Sequence, residues 1–230
     1  MMGMDHPILY SFRRCPYAMR ARMALASSGQ TVALREIVLR DKPDEMIAAS
    51  PKATVPVLVS PDGAVLEESI DIALWALAKN DPDGWLPDEP QGRTDMLTFI
   101  STMDGPFKHH LDRAKYATRY PEERNDGETA EEFEARHRLA AIERLAPLDA
   151  QLAQSTHLFG DRPTLADIAT FPFIRQFANS DRTFWEAQPL PKLQAWLDAW
   201  VTSDLFAGVM EKYEPWKVTG QDIPFPHKVV

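Results

Sequence analysis

Cysteine occurs once in the 230 residues, as Cys15, so no disulfide can close within the chain. A thiol-reducing compartment, the cytoplasm, is the expected location. Basic charge is also scarce: 25 Lys and Arg stand against 34 Asp and Glu, for a formal net charge of −9. That balance excludes nonspecific nucleic-acid binding, which needs a basic face. No apolar run approaches the roughly 20 residues that span a bilayer, so no membrane partner is expected. Residues Met1 to Pro7 show no basic stretch followed by an apolar core, and no secretory leader is expected. Repeats and low-complexity tracts are absent. The histidines suggest no metal: His109 and His110 are adjacent, which on a helix should point them apart, and His6, His137, His157 and His227 are scattered. What remains is an ordinary globular composition, 44% apolar and 10% aromatic, in a length that suits two modest domains.

Residues 7–88 read as alternating strands and helices. Ile8-Leu9-Tyr10 is a short apolar strand. Met19, Met23, Leu25 and Ala26 recur at helical spacing between Tyr17 and Ser28, and Ser28-Gly29 ends that helix. Val32 to Val38 is rich in β-formers, so strand, helix and strand imply a parallel pair. Pro43 to Ala49 suits a short helix stopped by Ser50-Pro51. Pro61-Asp62-Gly63 is a turn joining Val55–Val59 to Ala64–Leu66 as a hairpin, and Glu68 opens a helix that ends near Asn80. Asp81 to Pro90 is turn-rich and aperiodic. Beyond it only helices are predicted, at about 91–104, 106–119, 129–155, 164–178 and 190–212, with Gly105-Pro106 breaking or kinking the second from the first. Thr129 and Glu132 have the spacing of a capping box. Trp196, Leu197 and Trp200 mark a core-facing stripe on the last long helix.

Cys15 falls where the first strand gives way to the first helix, in Phe12-Arg13-Arg14-Cys15-Pro16-Tyr17-Ala18. Pro16 suits a first helical position, because its missing N–H has no partner to lose there. Exposed backbone N–H groups and the positive end of the helix dipole favour thiolate over thiol, and two arginines add positive charge. The thiolate is the nucleophile of reversible sulfur chemistry. A lone cysteine is otherwise a small buried hydrophobe. Pro56 stands at a strand, so it either starts that strand in trans or forms a cis bend with Val55. Glu68-Ser69 reads either as a helix cap or as a pair that holds a carboxylate and its neighbouring ammonium.

These features in order resemble the cytosolic glutathione transferase superfamily, in particular its cysteine-type, omega-like members. The resemblance rests on Cys15-Pro16-Tyr17-Ala18, Thr54-Val55-Pro56-Val57-Leu58, Glu68-Ser69 and, after Gly160-Asp161-Arg162-Pro163, Thr164-Leu165-Ala166-Asp167. It implies an α/β thioredoxin-like N-terminal domain with a four-stranded mixed sheet over 1–82, a linker over 83–90 and an all-α helical-bundle domain over 91–230. It also implies glutathione as cosubstrate and a homodimer. In the family pattern Val55, before a cis Pro56, pairs with the cysteinyl part of glutathione, Glu68 and Ser69 receive its γ-glutamyl end, and Lys42 lies near its glycyl carboxylate. Cys15 is then the catalytic nucleophile. Tyr10 and Ser11 are weaker candidates, because the first lies near the strand end where other members carry a catalytic tyrosine and the second is only nearby.

Position 18 is alanine, so no second thiol can close an internal disulfide, and a monothiol cycle is expected. Thiol transfer, deglutathionylation and dehydroascorbate-type reduction fit it, with a small disulfide or electrophile as second substrate. The alternatives are conjugation or reductive dehalogenation of an electrophile, and a noncatalytic regulator on the same fold. Phe12, Arg14 and Tyr17 flank the thiol. Phe107, His110, Leu111 and Lys115 share helical spacing and either face the second-substrate pocket or pack as core or dimer surface.

Overall fold

The most buried strand, β1 (Ile8–Ser11), sits at the centre of a mixed sheet, and the elements around it follow from chain order. The structure, a computed structural model, describes residues 6–227. Helix α1 (Pro16–Ser28) crosses to β2 (Val32–Glu36), which pairs parallel with β1 in the register Ile8↔Ala33. Gly29 stops α1 at φ 66°, a left-handed cap in which Gln30 N–H reaches Leu25 O at 3.2 Å. After α2 (Asp44–Ala49), β3 (Val57–Val59) runs antiparallel to β1. Gly63, at φ 87°, turns β3 into β4 (Val65–Leu66), the expected hairpin, and α3 (Ser69–Lys79) packs on α1.

The helical part contains α4 (Pro90–Thr102), α5 (Lys108–Lys115), α6 (Ala130–Leu152), α7 (Leu165–Ala178), α8 (Arg182–Glu186) and α9 (Pro191–Val201). The break or kink expected at Gly105-Pro106 takes the form of a π turn over Met103–Phe107. The wider turn takes up a proline ring that would strike the carbonyl one ordinary turn back. Thr129 and Glu132 do form a capping box, with Thr129 N–H on Glu132 Oε2 at 2.9 Å and Glu132 N–H on Thr129 Oγ1 at 3.2 Å. Asp167, fully buried, caps α7 and ties three elements together. It accepts from Thr164 N (2.9 Å), Thr164 Oγ1 (3.1 Å), Leu158 N (3.0 Å) and Trp196 Nε1 (3.0 Å). Helix α8 was not expected; Asp181 starts it by accepting from Phe184 N at 2.9 Å.

The helix expected over 190–212 is split after Val201. Ser203 caps a separate helix, α10 (Asp204–Val209), by accepting from Phe206 N at 3.2 Å. The chain then forms α11 (Trp216–Thr219) and β5 (Ile223–Phe225). Strand β5 pairs antiparallel with β2, Val32↔Phe225 and Leu34↔Ile223, giving a five-stranded sheet in the order β4-β3-β1-β2-β5. Two expectations are thereby corrected. The sheet has five strands, not four, and the residues from Thr202 onward belong to the sheet-bearing unit, not to the helical one. The compact units are Met1–Leu86 with Thr202–Val230, and Pro87–Val201. The physical reason is that Pro224 lacks an N–H, a defect tolerated at the edge of a sheet, where β5 lies. No helix of the described residues is long and apolar enough to cross a membrane.

Candidate active site

Cys15 is the N-cap of α1, with Pro16 at the first helical position. Its extended backbone (φ −75°, ψ 123°) and a bond from its N–H to Phe12 O at 3.0 Å fix the turn that leaves β1. The side chain is half-buried against the cluster of Ile8, Tyr10, Ile37, Met46, Val55 and Val57, and Sγ lies 3.7 Å from Val55 O. The Val55-Pro56 peptide is cis, which settles the choice left open by the sequence. The loop before it is held by Ala53 in a left-handed conformation, φ 54°, and by a bond from the buried Ser50 hydroxyl to Glu67. A half-buried sulfur beside a backbone carbonyl can reach a sulfur-bearing ligand and still be screened on one side.

The positive charge near this thiol comes from a residue that pattern reading did not single out. Arg22, buried on α1, donates to Ser11 Oγ (2.6 Å), Arg13 O (2.7 Å) and Met210 Sδ (3.9 Å). Burial lowers its pKa to about 10, against the pull of Glu36 and Cys15, so it stays charged at neutral pH. Glu36 is pushed up by burial, an effect opposed by the bond from Arg13 N–H at 2.7 Å and by the Arg22 charge. Of the arginines expected to supply the charge, Arg14 is exposed and lies over the Phe12 ring, 5.4 Å from its centroid. Arg13 directs Nη1 to Met210 O at 3.4 Å. The two rival hydroxyls are both engaged: Ser11 accepts from Arg22, and buried Tyr10 accepts from Arg35 Nη1 at 2.9 Å. Burial raises the Tyr10 pKa, against the opposing pull of Arg35.

At the start of α3, Ser69 is buried and Glu68 exposed. Ser69 Oγ accepts from Arg20 Nε (3.0 Å) and Nη2 (2.8 Å), and Arg20 lies over the Tyr17 ring at 5.3 Å. Glu68 forms an exposed ion pair with Lys52. Arg20 and Lys52 were missed, since buried arginine on an apolar helix and a loop lysine carry no sequence signal of a partner. Lys42 is half-buried, one residue before the Pro43 that caps α2. The helical candidates separate. Phe107 and Leu111 are each 1% exposed and so are core side chains of their unit. Phe107 meets Phe177 edge-on at 6.0 Å and also borders a cavity of about 730 Å³ shared with Phe99, Met103 and Phe159. Lys115 is exposed, with Nζ 5.4 Å from the centre of the Tyr116 ring. His110 Nδ1 lies 2.8 Å from His137 Nδ1. The expectation that His109 and His110 point apart does not hold. One donor nitrogen from each, with one from His137, lie within 4.8 Å of one another.

Residues 9–85 match the family model for the glutathione S-transferase N-terminal domain, and residues 131–199 that for the C-terminal domain. Among curated proteins, glutathione S-transferase U28 of Arabidopsis thaliana is 25% identical over 192 residues, covering 82% of this chain and 81% of that one. Glutathione S-transferase omega-1 of Mus musculus is 27% identical over 194 residues, covering 83% and 75%. Two solved structures share the fold. One is a glutathione transferase family member from Pseudomonas fluorescens with two glutathione bound, at 20% identity, TM-score 0.75, and coverage of 92% and 95%. The other is the glutathione transferase URE2P6 from Phanerochaete chrysosporium in complex with oxidized glutathione, at 17% identity, TM-score 0.76, and coverage of 91% and 96%.

Proposed function

The chain belongs to the glutathione S-transferase superfamily, and we propose that within it the protein is a cysteine-type thiol transferase whose nucleophile is Cys15. The observation that carries this reading is the half-buried sulfur at the start of α1, 3.7 Å from the Val55 carbonyl that precedes cis-Pro56. The Cys15 thiolate attacks the glutathione sulfur of a mixed disulfide, a new S–S bond forms at Cys15, and the partner leaves as a thiolate that takes a proton from water. A second glutathione thiolate then attacks the Cys15-bound glutathione, releasing oxidised glutathione and restoring Cys15. Two glutathione electrons reduce one disulfide, so the cycle balances without a metal or a second protein thiol.

In this reading the backbone of Val55 pairs with the cysteinyl part of glutathione. Ser69, Arg20 and the first N–H groups of α3 hold the γ-glutamyl carboxylate, and Glu68, with Lys52 displaced, holds its ammonium. Lys42 meets the glycyl carboxylate. Phe12, Arg14 and Tyr17 line the near side of the second-substrate pocket. A homodimer in a reducing cytoplasm belongs to the same proposal.

The test is intact mass after incubation with oxidised glutathione. A gain of one glutathionyl group on the native chain and none on Cys15→Ser is expected, with turnover of a glutathionylated peptide but not of an aryl halide. Aryl-halide conjugation that persists in Cys15→Ser, or an unmodified native chain, overturns the assignment.

A further inference from the structure

Helices α5 and α6 pack side by side, and they bring three imidazoles together where the chain separates them by up to 28 positions, His109, His110 and His137. The ring centroids of His109–His110, His110–His137 and His109–His137 are 5.0, 5.0 and 5.6 Å apart, and the first two rings stand at 89° to each other. Adjacent helical residues diverge by about 100° around the axis, but here the perpendicular rings fold back toward a third ring on the facing helix. We propose that these three histidines bind a divalent late first-row transition ion, zinc foremost, as a staple between α5 and α6.

The donor set fits. Neutral imidazole suits zinc, copper and nickel, and burial together with the Arg136 charge lowers the His137 pKa to about 4, which leaves its ring unprotonated at neutral pH. The nearest pair, His110 Nδ1 and His137 Nδ1, sits at 2.8 Å, with room between them only for a shared proton. Tetrahedral zinc at about 2.05 Å from nitrogen holds its ligands about 3.3 Å apart. That pair therefore opens by about half an ångström, while the widest of the three separations closes from within 4.8 Å. Three protein ligands leave a fourth position for water.

Of the cations that act on the rings, Arg144 is exposed to solvent, and the other two are paired. Arg136, whose Nη1 lies 3.4 Å from His137 Nε2, is held on Glu128 by bonds of 2.7 and 2.9 Å, and Arg113 is paired with Glu123. The Arg136 side chain is 43% exposed, so it can turn aside when His137 Nε2 takes up the proton displaced from Nδ1.

The test uses the untagged full chain in the Cys15→Ser form, which removes the competing thiolate. Zinc titrated by calorimetry should bind at one equivalent per chain. His109→Ala, a change at an exposed ring, and His110→Gln should each weaken it tenfold or more, with unchanged far-ultraviolet circular dichroism. Cobalt(II) should give intense visible bands of tetrahedral type that His109→Ala abolishes. Failure of zinc to saturate the protein at tenfold excess, or native affinity in both histidine variants, overturns the proposal.

Discussion

Replacing Ser69 by alanine separates a glutathione site from an ordinary helix start. Ser69 and Arg20 are each 2% exposed, and Ser69 Oγ is the acceptor for Arg20 Nε at 3.0 Å and Nη2 at 2.8 Å. A hydrogen bond to a charged group is worth about 1.5–3 kcal/mol net. Two donors sharing one acceptor fall short of twice that, and Arg20 has further interactions, so Ser69→Ala should cost the sheet-bearing unit about 2–3 kcal/mol. For a chain of this size the corresponding fall in Tm is about 4–12 °C. Glutathione affinity, measured by calorimetry on Cys15→Ser protein so that no mixed disulfide forms, should drop about 5- to 150-fold, the range of 1–3 kcal/mol. The two losses part in the double variant Arg20→Met/Ser69→Ala. With both polar partners gone no donor is stranded at this bond, so stability should recover in part, short of what the further interactions of Arg20 contribute, while affinity stays low. Native affinity in Ser69→Ala would refute the assignment of Ser69 to the ligand. Native stability would refute the Arg20–Ser69 bond itself.

Three further outcomes are expected. Disulfide reduction in Cys15→Ser should fall to the uncatalysed rate, and unchanged turnover by a coupled glutathione reductase assay would remove the sulfur from the mechanism. Asp167→Ala leaves the Leu158 N–H and Trp196 Nε1–H without their acceptor in the interior, and should cost about 3–5 kcal/mol by urea denaturation; a loss below about 1 kcal/mol would show that the four bonds to Asp167 hold little together. His137, lowered to about 4 chiefly by burial, binds a proton more readily unfolded than folded. Stability should therefore be full above pH 6.5 and fall as pH drops toward 4, by at most about 3 kcal/mol at 1.36 kcal/mol per unit. A urea midpoint that does not change between pH 7 and pH 5 in the native chain, or a His137→Gln variant with the same slope, would contradict that environment.

The parts of the fold that a sequence displays are those whose signal is local. Helix α1 is bracketed by Cys15-Pro16 and Gly29, the hairpin by Gly63, and α6 by the Thr129–Glu132 box, and each is settled by dihedral preference or by a bond across three residues. Strand β5 has no such signal. Three residues with a proline in the middle acquire strand geometry only because β2 offers them an edge. The end of α9 is similar: residues 190–212 keep a helical apolar pattern throughout, and the break after Val201 depends on Ser203 capping a new start. Met103–Phe107 shows the reverse case, in which the proline signal is real but a π turn absorbs it.

The same division holds in the site. Cys15, Val55, Pro56, Glu68 and Ser69 are marked by junctions of elements, which a linear reading can find. Their neighbours are not, because Arg20 and Arg22 lie on a helix whose pattern gives no hint that a guanidinium is buried there. Yet these arginines decide what each hydroxyl can do. Arg20 takes Ser69, while Arg22 takes Ser11 and Arg35 takes Tyr10, so both rival hydroxyls accept a bond from a cation. Such an acceptor has a lone pair directed at the guanidinium and held away from a substrate. Cys15 differs in kind: its sulfur faces a backbone carbonyl, and the buried Arg22 charge lies among the groups that act electrostatically with it. The proposed use of sulfur at this site therefore leans on where these arginines lie, an arrangement that exists only once α1 is laid against the sheet and α3.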